Sequence, residues 1–225
     1  MWQKDLSLRT PHKRDVQITS LADQVYSYLR LAIISSELAP GEKLVELDIA
    51  KRMSTSQGPV REALQRLERD GLVERKARSA SYVTSIPMDE MYELFAVRAS
   101  IEAFAIRHTA QHITPEQCSQ LDSLIYDMQK AAVANDIIRL AEFDMGLHRT
   151  IVELSGRSSL LRVWNPLSTQ CERFIVQSHP IHYPDYVEIA TRHTVIVDAL
   201  RAHDAEAAVR AVQEHIMLIW PKINP

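Results

Sequence analysis

The sequence predicts a mainly α-helical chain: an N-terminal winged helix-turn-helix domain followed by an all-α helical-bundle effector domain. Three observations predict it. Residues 44–71, LVELDIAKRMSTSQGPVREALQRLERDG, read as two short helices around a tight turn. Residues 72–84 then alternate like two short strands, with Arg75, Lys76 and Arg78 at their tip. From Met88 onward the apolar residues recur at helical spacing and no convincing strand pattern appears.

Taken in order, residues 1–18 lack an apolar signal core and are expected to form a mobile tail. Residues 21–37 form an amphipathic helix with Val25, Leu29, Ala32 and Ile33 on one side. In the first helix of the pair, Leu44, Leu47, Ile49 and Ala50 supply the apolar positions. In the second they are Val60, Ala63, Leu64 and Leu67. Ser56 is an expected N-cap, Pro59 is tolerated in a first turn, and Gly71 is the expected stop. A two-stranded wing follows, and Ile86-Pro87 closes a domain spanning 19–86, with Asp89 placed to cap the next helix. Residues 87–225 make the second domain. Its helices are expected near 88–111, 115–134, 136–155, 158–178, 185–202 and 205–220, the breaks falling at Thr114-Pro115, Asn135-Asp136, Ser155-Gly156, His179-Pro180 and His203-Asp204.

Charge divides the same way. Residues 1–86 hold 14 Lys/Arg against 11 Asp/Glu, and the remainder 12 against 18, so a basic first part precedes an acidic second one. The basic part is the one carrying the helix pair, as phosphate binding requires. A helix-turn-helix lays its second helix in the major groove with its first residues on base edges, here Ser56, Gln57, Gly58 and Arg61. Arg75, Lys76 and Arg78 of the wing suit phosphate contact. An ordinary helical hairpin would leave that basic wing without a role. No apolar run is long enough to span a membrane, and two cysteines without a paired motif, Cys118 and Cys171, suit reduced thiols in a cytoplasmic protein.

These motifs resemble the N-terminal domain of the GntR family of bacterial transcription regulators. Pro40-Gly41, the Pro59–Leu64 segment PVREAL, and the exit from Leu67 to Val73 match the family pattern across roughly residues 21–83. Arg61 matches the family's DNA-contacting arginine. Gln57 stands where the family usually has Arg, Gly58 where it has Thr, and Ala80 where it has Gly. A glutamine can read adenine with two hydrogen bonds where arginine would read guanine, so the resemblance carries the fold and not the operator sequence.

The second domain has polar residues where a core belongs. The stripe Ile137, Leu140, Asp144, Leu147/His148, Ile151, Leu154 carries an acid at its centre and His148 one turn on. His193 is central to the stripe from Tyr186 to Leu200, and His215 to that from Ala208 to Leu218. With a turn near Asp204, both lie eleven residues from it and face each other in an antiparallel hairpin. Each alone could be a hydrogen-bonded core histidine. Together, a carboxylate and three imidazoles on inward stripes point to a divalent metal site, Zn²⁺ first, with Ni²⁺ or Mn²⁺ as alternatives. His108, His112, His179 and His182 fall at helix ends or in a Pro-rich loop and are expected to be solvated.

This part resembles the FCD ligand-sensing domain of the FadR-like branch of the same family. The carrying residues are Asp144 and His148, His193, His215, and the start MYELFAVRASIEAFA with Arg98 and Glu102. The resemblance implies a metal held by Asp144, His148, His193 and His215, with open coordination positions for water or a small carboxylate effector. Arg98 is the expected carboxylate anchor, the alternative being a pair with Glu102 on its own helix. Asn165 is a further pocket candidate, the alternative being a helix kink before Pro166. The implied whole is a cytoplasmic, homodimeric repressor on a near-palindromic duplex, tuned by a metabolite. The competing readings are a metal-dependent hydrolase or lyase on the helical domain, and a regulator whose metal is purely structural.

Overall fold

The computed structural model describes residues 20–76 and 80–223; the expected tail over 1–18 and the wing residue Arg78 lie outside them. The chain builds one hydrophobic core before Pro87 and a larger one after it. Helix α1 (Leu21–Ile34) starts at a capping box in which Ser20 and Asp23 exchange side-chain and backbone hydrogen bonds. It buries Val25, Leu29, Ala32 and Ile33 against α3 (Gln57–Arg69), whose inward face is Val60, Ala63, Leu64 and Leu67.

Three local expectations need correction. The wing is three-stranded: β1 (Lys43–Leu44) pairs antiparallel with β3 (Ala80–Val83), which also pairs with β2 (Val73–Lys76). Leu44 therefore reaches the core from a strand, and α2 begins only at Glu46 and ends at Arg52. An amphipathic period of four residues fits a short strand as well as a helical turn. Ser56 occupies the N-cap position of α3, but its side chain makes no capping hydrogen bond. Helix α4 (Met88–His112) is entered through Pro87, with Asp89 inside the first turn. Gly71 does end the α3 segment, in the left-handed region at φ 72°.

The second part is a helical bundle: α4, α5 (Pro115–Val133), α6 (Ile137–Leu154), α7 (Ser158–His182), α8 (Tyr186–Arg192), α9 (Thr194–Arg201), α10 (Ala205–Met217) and a terminal turn α11 (Trp220–Ile223). Thr114, Asp136 and Asp204, at three of the expected breaks, cap α5, α6 and α10. Helix α4 runs through the bundle, packed on α6, α7 and α10, while α7 also touches α1 of the winged domain.

Helix α1 stops at Ile34, short of residue 37, and α10 at Met217, short of residue 220; two other segments depart further. The segment expected over 185–202 breaks into α8 and α9 at His193. The His193 ring Nδ1 bonds the Ile189 carbonyl at 3.1 Å, the acceptor its own backbone N–H would use in an unbroken helix. That N–H settles for the Ala190 carbonyl at 3.4 Å. Helix α7 runs through Pro180 to His182, past the expected end at residue 178. Proline there removes one hydrogen bond near the helix end, where few remain to lose, and Tyr183 closes the turn on the His179 carbonyl. Among the described residues no helix is long and apolar enough to cross a membrane.

Candidate metal centre and nucleic-acid surface

Helix α6 presents Asp144 and His148 one turn apart, the α8–α9 break presents His193, and α10 presents His215. One ligand atom from each lies within 4.8 Å of every other. His193 Nε2 is 3.2 Å from Asp144 Oδ2, and His215 Nε2 is 4.0 Å from the same oxygen. The His193 and His215 rings meet at a centroid separation of 4.0 Å, so the two do face each other across the hairpin. Asp144, His148 and His193 are buried and His215 nearly so.

The hydrogen bonds around these rings decide what the cluster can do. His148 Nδ1 meets Glu102 Oε2 at 2.5 Å and His193 Nδ1 meets the Ile189 carbonyl, so in both rings Nδ1 carries the hydrogen. Both Nε2 atoms are left as buried lone pairs with no partner, as are Asp144 Oδ1 and His215 Nδ1. Buried, unpaired acceptors converging on one volume are costly unless a cation joins them. The donor set fits a divalent metal of borderline softness, with Glu102 as the carboxylate that orients a ligating histidine.

Glu102 is wholly buried and receives three donors: Arg98 Nε at 2.7 Å, Trp164 Nε1 at 2.7 Å and the His148 ring. Burial alone would raise its carboxyl, but Arg98 and His148 outweigh that and hold it at about 2. Burial likewise opposes the Asp144 anion, and the three imidazoles overcome it, keeping its carboxyl below the ordinary range. Desolvation pushes His215 well below its usual value. All of these shifts leave the groups in the protonation states a metal ligand needs.

Arg98 is fully buried: Nε pairs with Glu102 on its own helix, while Nη2 has no partner. It lines a small cavity, about 30 Å³, together with Asp144, His179, Tyr183 and His215. His179 corrects the expectation of a solvated side chain. Because α7 continues to His182, the ring is carried into the bundle, where it is 7 % exposed with Nδ1 unpartnered and its protonation pushed down by burial to about 4. Asn165 lies elsewhere, lining a cleft with Tyr26, Arg30 and Trp164. Its backbone carbonyl accepts from the Ser168 and Thr169 hydroxyls at the helical turn that contains Pro166, while its side-chain Oδ1 has no partner. Sequence reasoning missed the orienting role of Glu102, which its i,i+4 spacing from Arg98 could have signalled, and missed Trp164 and Tyr183, which no pattern marks.

On the winged side, Ser56 at the N-cap position and Gln57, Gly58 and Arg61 in the first turns of α3 all lie exposed. Gln57, Arg61 and Arg75 line one open cleft with Lys43 and Ala80, joining the helix start to the wing. Arg61 is held by Glu46 of α2, Nη2 to Oε2 at 3.0 Å, and Lys76 by Glu74 at 2.8 Å, over the Tyr82 ring.

Comparison with known proteins agrees with this division. Residues 21–83 match the model for bacterial regulatory proteins of the gntR family, and residues 93–217 match the model for the FCD domain. A probable D-xylose utilization operon transcriptional repressor of Paenarthrobacter nicotinovorans is 29% identical over 204 residues, covering 90% of this chain and 88% of that one. The transcriptional repressor RspR of Escherichia coli is 28% identical over 201 residues, covering 89% and 88%. Among solved structures, E. coli McbR/YncC superposes with a TM-score of 0.77 at 21% identity, over 91% of this chain and 98% of that one, a likeness of fold.

Proposed function

Because the chain belongs to the GntR family of bacterial transcription regulators, in its FCD-containing form, we propose that it is a repressor whose operator affinity is set by a small carboxylate bound beside a metal in the helical bundle. The observation that carries this reading is the convergence of Asp144, His148, His193 and His215, one ligand atom of each within 4.8 Å of every other, with the Nε2 atoms of His148 and His193 buried and unpartnered and Arg98, its Nη2 without a partner, lining the same cavity as Asp144 and His215. Asp144, His148, His193 and His215 would hold the ion, zinc first and nickel or manganese next. Bound there, the metal supplies an open coordination position for a carboxylate oxygen. Arg98 offers the second anchor, a charge-assisted hydrogen bond from Nη2. Asn165, set apart in its own cleft, is given no part in this anchor.

The α3 residues Ser56, Gln57, Gly58 and Arg61 are assigned to base edges, and Arg75, Lys76 and Arg78 to phosphates. A homodimer in the cytoplasm would place two such helices in successive major grooves of a near-palindromic operator. An effector shifts affinity only by its differential binding to the two arrangements of the winged domains. Helix α7 supports such coupling, since it lines the effector cavity with Ile175 and His179 and contacts the winged domain with Gln170, Glu172 and Arg173.

The test is selection of an operator from random duplexes by the zinc-loaded protein, followed by a screen of small carboxylates for their effect on its affinity. At least one acid should change affinity several-fold with metal present and not after chelation. No enriched sequence would overturn the DNA reading; enrichment with no metal-dependent acid would overturn the effector reading. A structural metal is the second reading, favoured by one observation: the four ligands join α6, the α8–α9 break and α10.

A further inference from the structure

A second cleft lies between the winged domain and the bundle, on the other side of α7 from the metal centre and sharing no lining residue with its cavity. Its volume is about 280 Å³, near the lower edge of the ~300–1,000 Å³ usual for small-molecule sites. The wall is apolar, formed by Ile86, Met91, Phe174 and Ile181. Its polar residues are Ser85, before α4, and Gln170, Arg173, Gln177, Ser178 and His182 of α7.

Arg173 sets this cleft apart. It is 6 % exposed, and among the described residues it hydrogen bonds only through Nη1, to the Thr84 carbonyl at 2.9 Å and its hydroxyl at 3.2 Å. No carboxylate pairs with it among the described residues, whereas the other buried arginine, Arg98, has Glu102. A guanidinium has five N–H donors in a planar fork, so most of this one's capacity is unused. Ser178, 7 % exposed, has a buried hydroxyl with no partner, and Gln170, 6 % exposed, a carbonyl oxygen with none. A buried cation without a counter-charge, beside unpaired polar atoms and an apolar wall, is an energetic cost that a suitable anion would relieve.

We propose that this cleft is a second ligand site, separate from the metal centre, for a small amphipathic organic anion: a carboxylate received by Arg173 and Ser178, with a short apolar body against Met91, Phe174 and Ile181. The Gln170 carbonyl would accept from a hydroxyl or amide on the ligand. Because Thr84 at the end of the wing shares Arg173 with the ligand, occupancy would bear on the contact between the winged domain and α7.

The probe is hexanoate, titrated calorimetrically into the full-length protein, metal-loaded and after chelation, with 1-hexanol as the uncharged control. The site predicts one hexanoate per chain that persists after chelation, binding at least tenfold more tightly than 1-hexanol. Arg173→Met should weaken it tenfold or more. Ile181 is 76 % exposed, so Ile181→Trp fills the cleft mouth without disturbing the fold, and it should weaken hexanoate equally. Circular dichroism checks that each form is folded. Hexanoate that fails to bind, that binds indifferently to Ile181→Trp, or that binds no better than the alcohol would overturn the proposal.

Discussion

Replacing Glu102 by glutamine tests the account of the metal centre at its most connected residue. The substitution keeps the shape and removes the charge. If the amide nitrogen faces His148 Nδ1, it donates to that nitrogen and drives the ring to carry its hydrogen on Nε2, where a ligand lone pair is required. If the amide is turned the other way, its N–H₂ meets Arg98 and Trp164, both donors. Neither orientation satisfies all three partners. Loss of an orienting carboxylate typically lowers metal affinity ~10- to 100-fold, which is about 1.4–2.7 kcal/mol. Arg98 is left as a buried, uncompensated cation, so the metal-free fold should lose about 3–5 kcal/mol.

The assays are zinc competition against a chromophoric chelator and urea unfolding of the metal-free protein. The sign with pH is also determined. The Glu102 carboxyl sits at about 2 in the fold against an ordinary 4.5, so its contribution is complete above 4.5 and lost as pH falls toward 2. The stability gap between wild type and Glu102→Gln should therefore narrow over that window. Zinc affinity within twofold of wild type, together with unchanged urea stability, would refute the reasoning.

Other outcomes follow from the same structure. Gly71→Ala should destabilise the protein by about 2–3 kcal/mol, from a left-handed backbone worth ~1–2 and a lost hydrogen bond worth ~1. A Cβ there would stand 2.1 Å from Gln170 Nε2, which now donates to the Asp70 carbonyl. In a Gln170→Ala background the same change should cost only the backbone part, a non-additivity that denaturant melts can read. Arg61→Ala should weaken binding to the selected operator ~10- to 100-fold and relax base preference at its contact, measured by fluorescence anisotropy. Removing metal with a chelator should abolish the carboxylate response while circular dichroism stays helical; global unfolding instead would favour the structural metal.

Two-domain architecture, the helix-turn-helix and the identity of the four converging residues were legible because each rests on local periodicity. A buried face must recur every three to four residues, so an acid or imidazole on such a stripe announces itself. The level pairing of His193 and His215 needed only helix rise and one turn. Short elements were less legible: a two-residue strand carries no period, and Leu44 fits either assignment. The break at His193 depends on a side chain capturing a carbonyl of its own helix, and the extension of α7 through Pro180 brings His179 into the bundle; neither choice is local. What the sequence determined by itself was which faces must be buried and which polar residues would be trapped there. Tertiary structure alone decided their partners: Glu102 with three donors, Arg98 with a free Nη2, and Arg173 buried without an anion. Those outcomes depend on distances between elements far apart in the chain, and residue spacing within one helix has no access to them.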